Sequence, residues 1–229
     1  MRFTMRTSAT ALALVLASLL PAQAGTSERV PSSDWRPLFD GHSLEGWKHV
    51  GPGEFVIEDG VLRTKDGMGL LWYTREKLGD CKIRVVYKTS TPRSNSGIYI
   101  RIADRPKEPW FAVHHGFEIQ IMDTARGGRG TGSIYTFAKA QAQPAKSGEW
   151  NTLEITLQGK RIQTTVNGVA VAEFDSSELQ PQKTDTVGAG NPARGPRPES
   201  GYIGLQNHDK NSIVFFKEVS VRPLSSEKR

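Results

Sequence analysis

Cysteine is almost missing from this sequence of 229 residues: Cys81 stands alone, so no intrachain disulfide can form and stability must come from packing. Cys81 alternates with Ile83, Val85 and Tyr87, the pattern of a core thiol rather than a nucleophile. Amphipathic helices are also missing. From Gly25 onward no apolar pattern of three helical turns occurs, which argues against a bundle or a doubly wound α/β fold. No H-E-x-x-H and no Cys/His cluster is present, and His114 and His115 face opposite ways, which speaks against a structural zinc site. The glycine-rich stretch Ala125–Gly132 lacks the Lys-Ser/Thr ending of a phosphate-binding loop, and no helix pattern follows it. It reads as a mobile surface loop. There is no G-x-S-x-G elbow, although spacing alone leaves a Ser-His-Asp triad open, and likewise a divalent ion held by Asp and loop carbonyls.

Charge of one sign is not concentrated anywhere. The formal charge is +6, and it falls to +4 once Arg2 and Arg6 are set aside. The excess forms no basic stripe, so no nucleic acid partner is expected. The one long apolar run, Ala9–Leu20, is too short for a permanent membrane span. With basic Arg2 and Arg6 before it and Ala22-Gln23-Ala24 after it, Met1–Ala24 reads as a signal peptide. No cysteine follows to carry a lipid, so no stable membrane anchor is expected, and the protein is expected to be exported, periplasmic or secreted. Residues 25–34 then form a flexible leader, and residues 35–224 a single domain.

What is abundant is short alternating segments broken by turns. Asp80–Thr89 and Trp150–Leu157 alternate apolar and polar residues as half-buried strands do, and Tyr202–His208 and Ile213–Val221 read as closing strands. Arg161–Val166 and Val169–Phe174 flank Asn167-Gly168, which supplies the positive φ angles of a type I′ hairpin. Ser133–Phe137 reads as a short strand, and Lys183–Ser200 as a long loop. Ten or more such strands predict an all-β, two-sheet jelly-roll sandwich.

Two strands near the middle carry the chemistry. In Asn95–Ile102, Ile98, Ile100 and Ile102 share one face, and Tyr99 and Arg101 the other. In Phe117–Ile121, Glu118 and Gln120 oppose Phe117, Ile119 and Ile121. Near the C-terminus Gln206 and His208 share a face. Pairing these strands with polar faces matched builds one patch of acid, cation, amides and imidazole, suited to a ligand rich in hydroxyls. Trp72, Trp110 and Tyr135 are candidate platforms for the apolar face of a sugar. A glycosidase with paired carboxylates is disfavoured, because Glu118 and Asp123, five residues apart, point to opposite faces of a regular strand.

The segments LFDGHSLEGW, FVIEDGVL, NSGIYIR, GFEIQIMD, TGSIY, GEWNTLEI, VNGVAV and GYIGLQNH occur in that order. Together they resemble the motif series of the bacterial 3-keto-disaccharide hydrolase domain family, over roughly Trp35–Leu224. The resemblance implies a sandwich of the concanavalin A-like lectin/glucanase type, an exported protein and a carbohydrate substrate already oxidised at C3. That ketone acidifies the C2 proton; a base removes it, the enolate expels the C1 group, and water adds back. On this reading Glu118 or His208 is the base, and Arg101, alone or with a divalent cation, stabilises the enolate. Asn95, Gln120 and Gln206 hold hydroxyls, Tyr99, Trp72 and Tyr135 line the substrate site, and Asp123 orients His208 or binds a metal. The reading from another class is a carbohydrate-binding module of the same fold without turnover. A conventional laminarinase-type glucanase is disfavoured because the E-x-D-x-x-E motif is absent.

Overall fold

The computed structural model describes residues 34–124, 127–179 and 197–224. The expected signal peptide, residues 25–33 of the expected leader and most of the loop expected at Lys183–Ser200 lie outside these residues. Thirteen strands and one short helix are found among them. In chain order they are β1 (Arg36–Phe39), β2 (Trp47–Val50), β3 (Glu54–Glu58), β4 (Val61–Lys65), β5 (Gly69–Tyr73), β6 (Cys81–Thr89) and β7 (Ser96–Ile102). There follow α1 (Trp110–His115), β8 (Phe117–Ile121), β9 (Asn151–Gln158), β10 (Arg161–Val166), β11 (Val169–Asp175), β12 (Tyr202–Asn207) and β13 (Val214–Pro223).

The strands form two antiparallel sheets. The larger has the order β11-β10-β9-β6-β13-β4-β3, with β1 also paired to β13; the smaller has the order β2-β5-β12-β7-β8. The β10–β11 hairpin turns at Asn167 (φ 51°) and Gly168 (φ 79°), as the Asn-Gly pair requires. Between the sheets lies a core built from the alternating rows the sequence displays. Cys81, Ile83, Val85 and Tyr87 of β6 and Leu153, Ile155 and Leu157 of β9 meet Ile98 and Ile100 of β7 and Phe117, Ile119 and Ile121 of β8. Full burial of each such aliphatic side chain contributes about 1.5–3 kcal/mol.

One strand breaks its own alternation. Along the β12–β7 pairing Tyr202 faces Ile102 while Gly204 faces Tyr99, so three steps on β7 match two on β12. The extra residue is taken up at Arg101, whose φ is +52°. A bulge of this kind inverts side-chain parity beyond it. Ile102 accordingly leaves the inter-sheet core and packs on the outer face of the small sheet, with Tyr99, Leu70, Trp72 and Tyr202. Helix α1 lies over this second cluster and closes it with Ala112 and Val113. Every residue of β5, β7 and β8 is therefore buried: they are covered on both faces, which the half-buried pattern did not foresee. Ser133–Phe137 is not a strand either. It is a turn tied to β8 by the isolated bridge Ile119–Ile134 and by the Tyr135 N–H donating to the Glu118 carbonyl at 2.8 Å.

Candidate functional site

Helix α1 covers only part of the outer face of the small sheet. The rest forms the floor of a cavity of about 650 Å³. Its floor and rim carry Asn95, Tyr99, Glu118, Gln120, Gln206 and His208; α1 and the residue before it contribute Pro109, Trp110 and Val113, and the segment beside β8 contributes Arg129 and Tyr135. Tyr99, Glu118 with Gln120, and Gln206 with His208 thus converge, without Arg101, because Tyr99 pairs with Glu118 on one side and Gly204 on the other.

The floor carries two hydrogen-bonded sets of side chains. Gln206 Nε2 donates to the Tyr99 hydroxyl at 2.6 Å, and Gln120 Nε2 donates to Asn95 Oδ1 at 2.6 Å. Glu118 is buried beside Tyr99 and Gln206. Loss of water around the carboxyl pushes it up to about 8, against the opposing pull of hydrogen bonds from Gln206 and Tyr99. Burial next to Glu118 also raises the Tyr99 hydroxyl, which stays protonated. Gln206 Oε1 is buried and has no partner, an acceptor directed at a site that a hydroxyl could fill.

Gly97, opposite Gln120, makes room for the acid. A Cβ there would lie 2.7 Å from Glu118 Oε1 and 2.8 Å from its Cγ. Gly97→Ala therefore forces Glu118 out of its array. We expect a folded protein with an unchanged far-UV spectrum and a loss of ligand response of at least about tenfold, since a misplacement of an ångström at a reacting group has large effects. Wild-type response in the alanine variant would show that the position of Glu118 is unimportant.

At the other end of the floor His208 is half exposed. Its Nδ1 lies 2.7 Å from Asp209 Oδ2. Asp209 is itself held by the Asn211 N–H (2.7 Å) and the Ser212 hydroxyl (3.0 Å), and these bonds keep its carboxyl low against the opposing effect of burial. Ser212 Oγ in turn accepts from the Asn95 N–H at 3.0 Å. The carboxylate fixes the proton on Nδ1 and leaves Nε2 as the free ring nitrogen.

Three residues expected at the site are elsewhere. Arg101 is turned away by its bulge: it is 1% exposed, its Nη2 donates to the Gly159 carbonyl, and Nε and Nη1 have no partner. Its neighbours are Asp80, Cys81 and Glu199, and Cys81 is an inert thiol that burial pushes up to about 12. Trp72 is 2% exposed and packs edge-on against Tyr202 at 5.0 Å, so it is core under α1 and not a platform. Asp123 is buried and accepts from Tyr87 Oη (2.9 Å), Thr131 Oγ1 (2.7 Å) and Thr89 Oγ1 (2.7 Å). Three hydroxyl donors leave no acid or imidazole to share a cation, and no cluster of three metal-ligating side chains occurs among the described residues. Asp123 thus neither orients His208 nor fits a metal; Asp209 stands where an orienting acid is needed.

Sequence reasoning misses Asp209, which follows His208 directly, and Arg129, which sits in the glycine-rich stretch that reads as a surface loop. For Asp209 a signal existed in the Asp-x-Asn-Ser turn pattern. Arg129 had none, because only folding brings its loop to the cavity.

A family model described as the 3-keto-alpha-glucoside-1,2-lyase-like domain matches residues 34–222. Among solved structures, a Parabacteroides distasonis protein described as a "putative glycosyl hydrolase" is 28% identical, with a TM-score of 0.66 over 83% of this chain and 99% of that one. A Bacillus subtilis protein with a galectin-like fold (13% identity, TM-score 0.57, 82% and 94% covered) has the same fold. So does the carbohydrate-binding module CBM66 of Bacillus subtilis (16%, 0.51, 77% and 95%). No curated relative matches. These likenesses make the domain a lectin-type jelly roll with a carbohydrate-related function.

Proposed function

Since the chain belongs to the 3-keto-alpha-glucoside-1,2-lyase-like domain family, we propose that it cleaves 3-keto-glycosides by eliminating the C1 substituent and hydrating the product. The observation that carries this reading is the make-up of the cavity: among the described residues, one carboxyl, Glu118, held neutral near pH 7, and one imidazole, His208, held by Asp209. A conventional glycosidase needs two carboxyl groups across one bond. Elimination next to a ketone needs a base, a donor to the enolate oxygen and a proton for the leaving group.

His208 Nε2 takes the C2 proton, and the Asp209 carboxylate balances the imidazolium that forms. The electron pair moves into the C2–C3 enolate. Glu118, protonated and backed by Tyr99, donates to the C3 oxygen as charge develops there, as a buried neutral acid does best. The enolate then expels the C1 oxygen, which takes the proton from His208. Water adds across the new C1–C2 double bond, giving net hydrolysis. Asn95, Gln120 and the free Oε1 of Gln206 hold sugar hydroxyls, with Tyr135 and Trp110 beside them. Export belongs to the same proposal, resting on the sequence Met1–Ala24. Among the described residues no helix is long and apolar enough to cross a membrane.

The test is incubation of the purified protein with a 3-keto-glucoside and with the unoxidised sugar. Release of 3-keto-glucose from the oxidised sugar alone is the expected result. Cleavage of the unoxidised sugar would overturn the elimination mechanism. Binding of both without turnover would make the domain a carbohydrate-binding module.

A further inference from the structure

The cavity carries a cation for which the proposed chemistry has no use. Arg129 is exposed and is the one Lys or Arg among the described residues lining the cavity. Among the described residues it makes no ion pair, whereas Arg36, Arg63, Arg75, Arg84 and Arg161 each face a glutamate. It is not on a loose loop. The Gly128 carbonyl accepts from the Ala140 N–H at 2.8 Å and the Gly130 carbonyl from the Ser133 N–H at 3.0 Å, so the backbone is fixed on both sides of it. Gly128 has φ +78°, and a Cβ there would lie 2.8 Å from the Lys139 Cβ, so the tight path needs glycine. Thr131 then ties the end of the segment to Asp123 at 2.7 Å.

Among the described residues, the only acid lining the cavity is Glu118. It is neutral in the physiological range, already engaged with Tyr99 and Gln206, and does not serve Arg129 as a counter-ion. The described lining therefore offers an entering ligand a guanidinium that faces no carboxylate, along with amide acceptors for hydroxyls. A planar guanidinium delivered on a rigid loop suits bidentate binding of a carboxylate.

We propose that this site takes glycosides that bear a carboxylate, and that Arg129 binds it. The proposal deepens the reading of the same cavity given above, and depends on that reading only for turnover. The carboxylate has two chemical sources, a uronic acid glycone or an acidic aglycone.

Calorimetric titration with unoxidised sugars separates binding from chemistry. The probes are methyl glucuronide, 4-carboxyphenyl glucoside, and their neutral counterparts methyl glucoside and phenyl glucoside. We expect one of the acidic sugars to bind at least tenfold more tightly than its neutral counterpart, and which one identifies the source. Arg129→Gln abolishes that preference, Arg129→Lys keeps part of it, and raising the salt concentration weakens it. Equal binding of acidic and neutral sugars, or a preference that survives Arg129→Gln, overturns the proposal. A carboxylate preference without turnover of any 3-keto-glycoside leaves this inference standing and removes the proposed function; turnover without the preference does the reverse.

Discussion

Glu118→Gln lowers kcat on a 3-keto-glucoside by about 10²-fold, the lower range for loss of one donor to a developing oxyanion. The amide keeps the shape and the contacts with Tyr99 and Gln206, but its N–H is a far weaker acid than a carboxyl O–H. The pH profile separates this role from a structural one. Burial raises the Glu118 carboxyl from an ordinary 4.5 to about 8, so it is protonated through the neutral range and ionises as pH rises through that value. Wild-type activity then falls about tenfold per pH unit on the alkaline side, whereas the glutamine variant, with no proton to lose there, shows a flat alkaline limb.

Stability moves with the opposite benefit. A carboxyl whose folded value is raised favours the folded state fully at pH below its ordinary 4.5, and that contribution is lost as pH rises through about 8. Glu118→Gln, neutral at every pH, should therefore melt higher than wild type at pH 9 and close to it at pH 4. Rate profiles from pH 5 to 10 and melts at both ends check this. An alkaline limb that persists unchanged in the variant would remove Glu118 from the chemistry.

Asp123→Ala is expected to unfold the domain more readily than any change in the cavity. It strips the common acceptor from Tyr87, Thr89 and Thr131, three hydroxyls buried with it. Thr89 keeps Ser147 Oγ at 3.2 Å, but leaving the Tyr87 and Thr131 hydroxyls without an acceptor costs about 3 kcal/mol, beyond the charged hydrogen bonds themselves. For a domain of this size that is a fall in Tm of roughly 6–12 °C. The carboxylate joins β6, through Tyr87 and Thr89, to both ends of the segment that carries Arg129. The loss should therefore also speed hydrogen exchange between Gly127 and Ser133, while the β9–β10–β11 meander stays protected. If Asp123 held a metal instead, added divalent cation would raise the wild-type Tm and leave the alanine variant unmoved; no such difference is expected.

Much of the fold is legible in the chain. The rows Cys81-Ile83-Val85-Tyr87 and Leu153-Ile155-Leu157 keep strict period two because one face of each strand is core and the other is not, and the structure places them so. The Asn167-Gly168 hairpin is a local matter of φ. The candidate site was legible where it follows from the same rule: Glu118 with Gln120, and Gln206 with His208, reach the cavity because their strands run regularly.

Chain order alone settles which side chains share a face along an unbroken strand, and hence the sandwich and the acid, amides and imidazole of the cavity. It could not tell what would cover a face. Trp72 is apolar and aromatic either as core or as a sugar platform, and only α1, packed through Ala112 and Val113, decided for core. Nor could it show where parity breaks. Arg101 takes its positive φ where it runs against the backbone of Gly201, which is itself bridged to Leu78; a Cβ at Gly201 would lie 2.3 Å from the Arg101 carbonyl carbon. That contact between residues a hundred positions apart sends the guanidinium out of the site. Arg129 enters it by the same kind of cause, through bonds from Gly128 to Ala140 and from Thr131 to Asp123 that exist only once the sheets have met. Periodicity is a property of neighbours along the chain, whereas burial, parity breaks and loop placement are properties of neighbours in space.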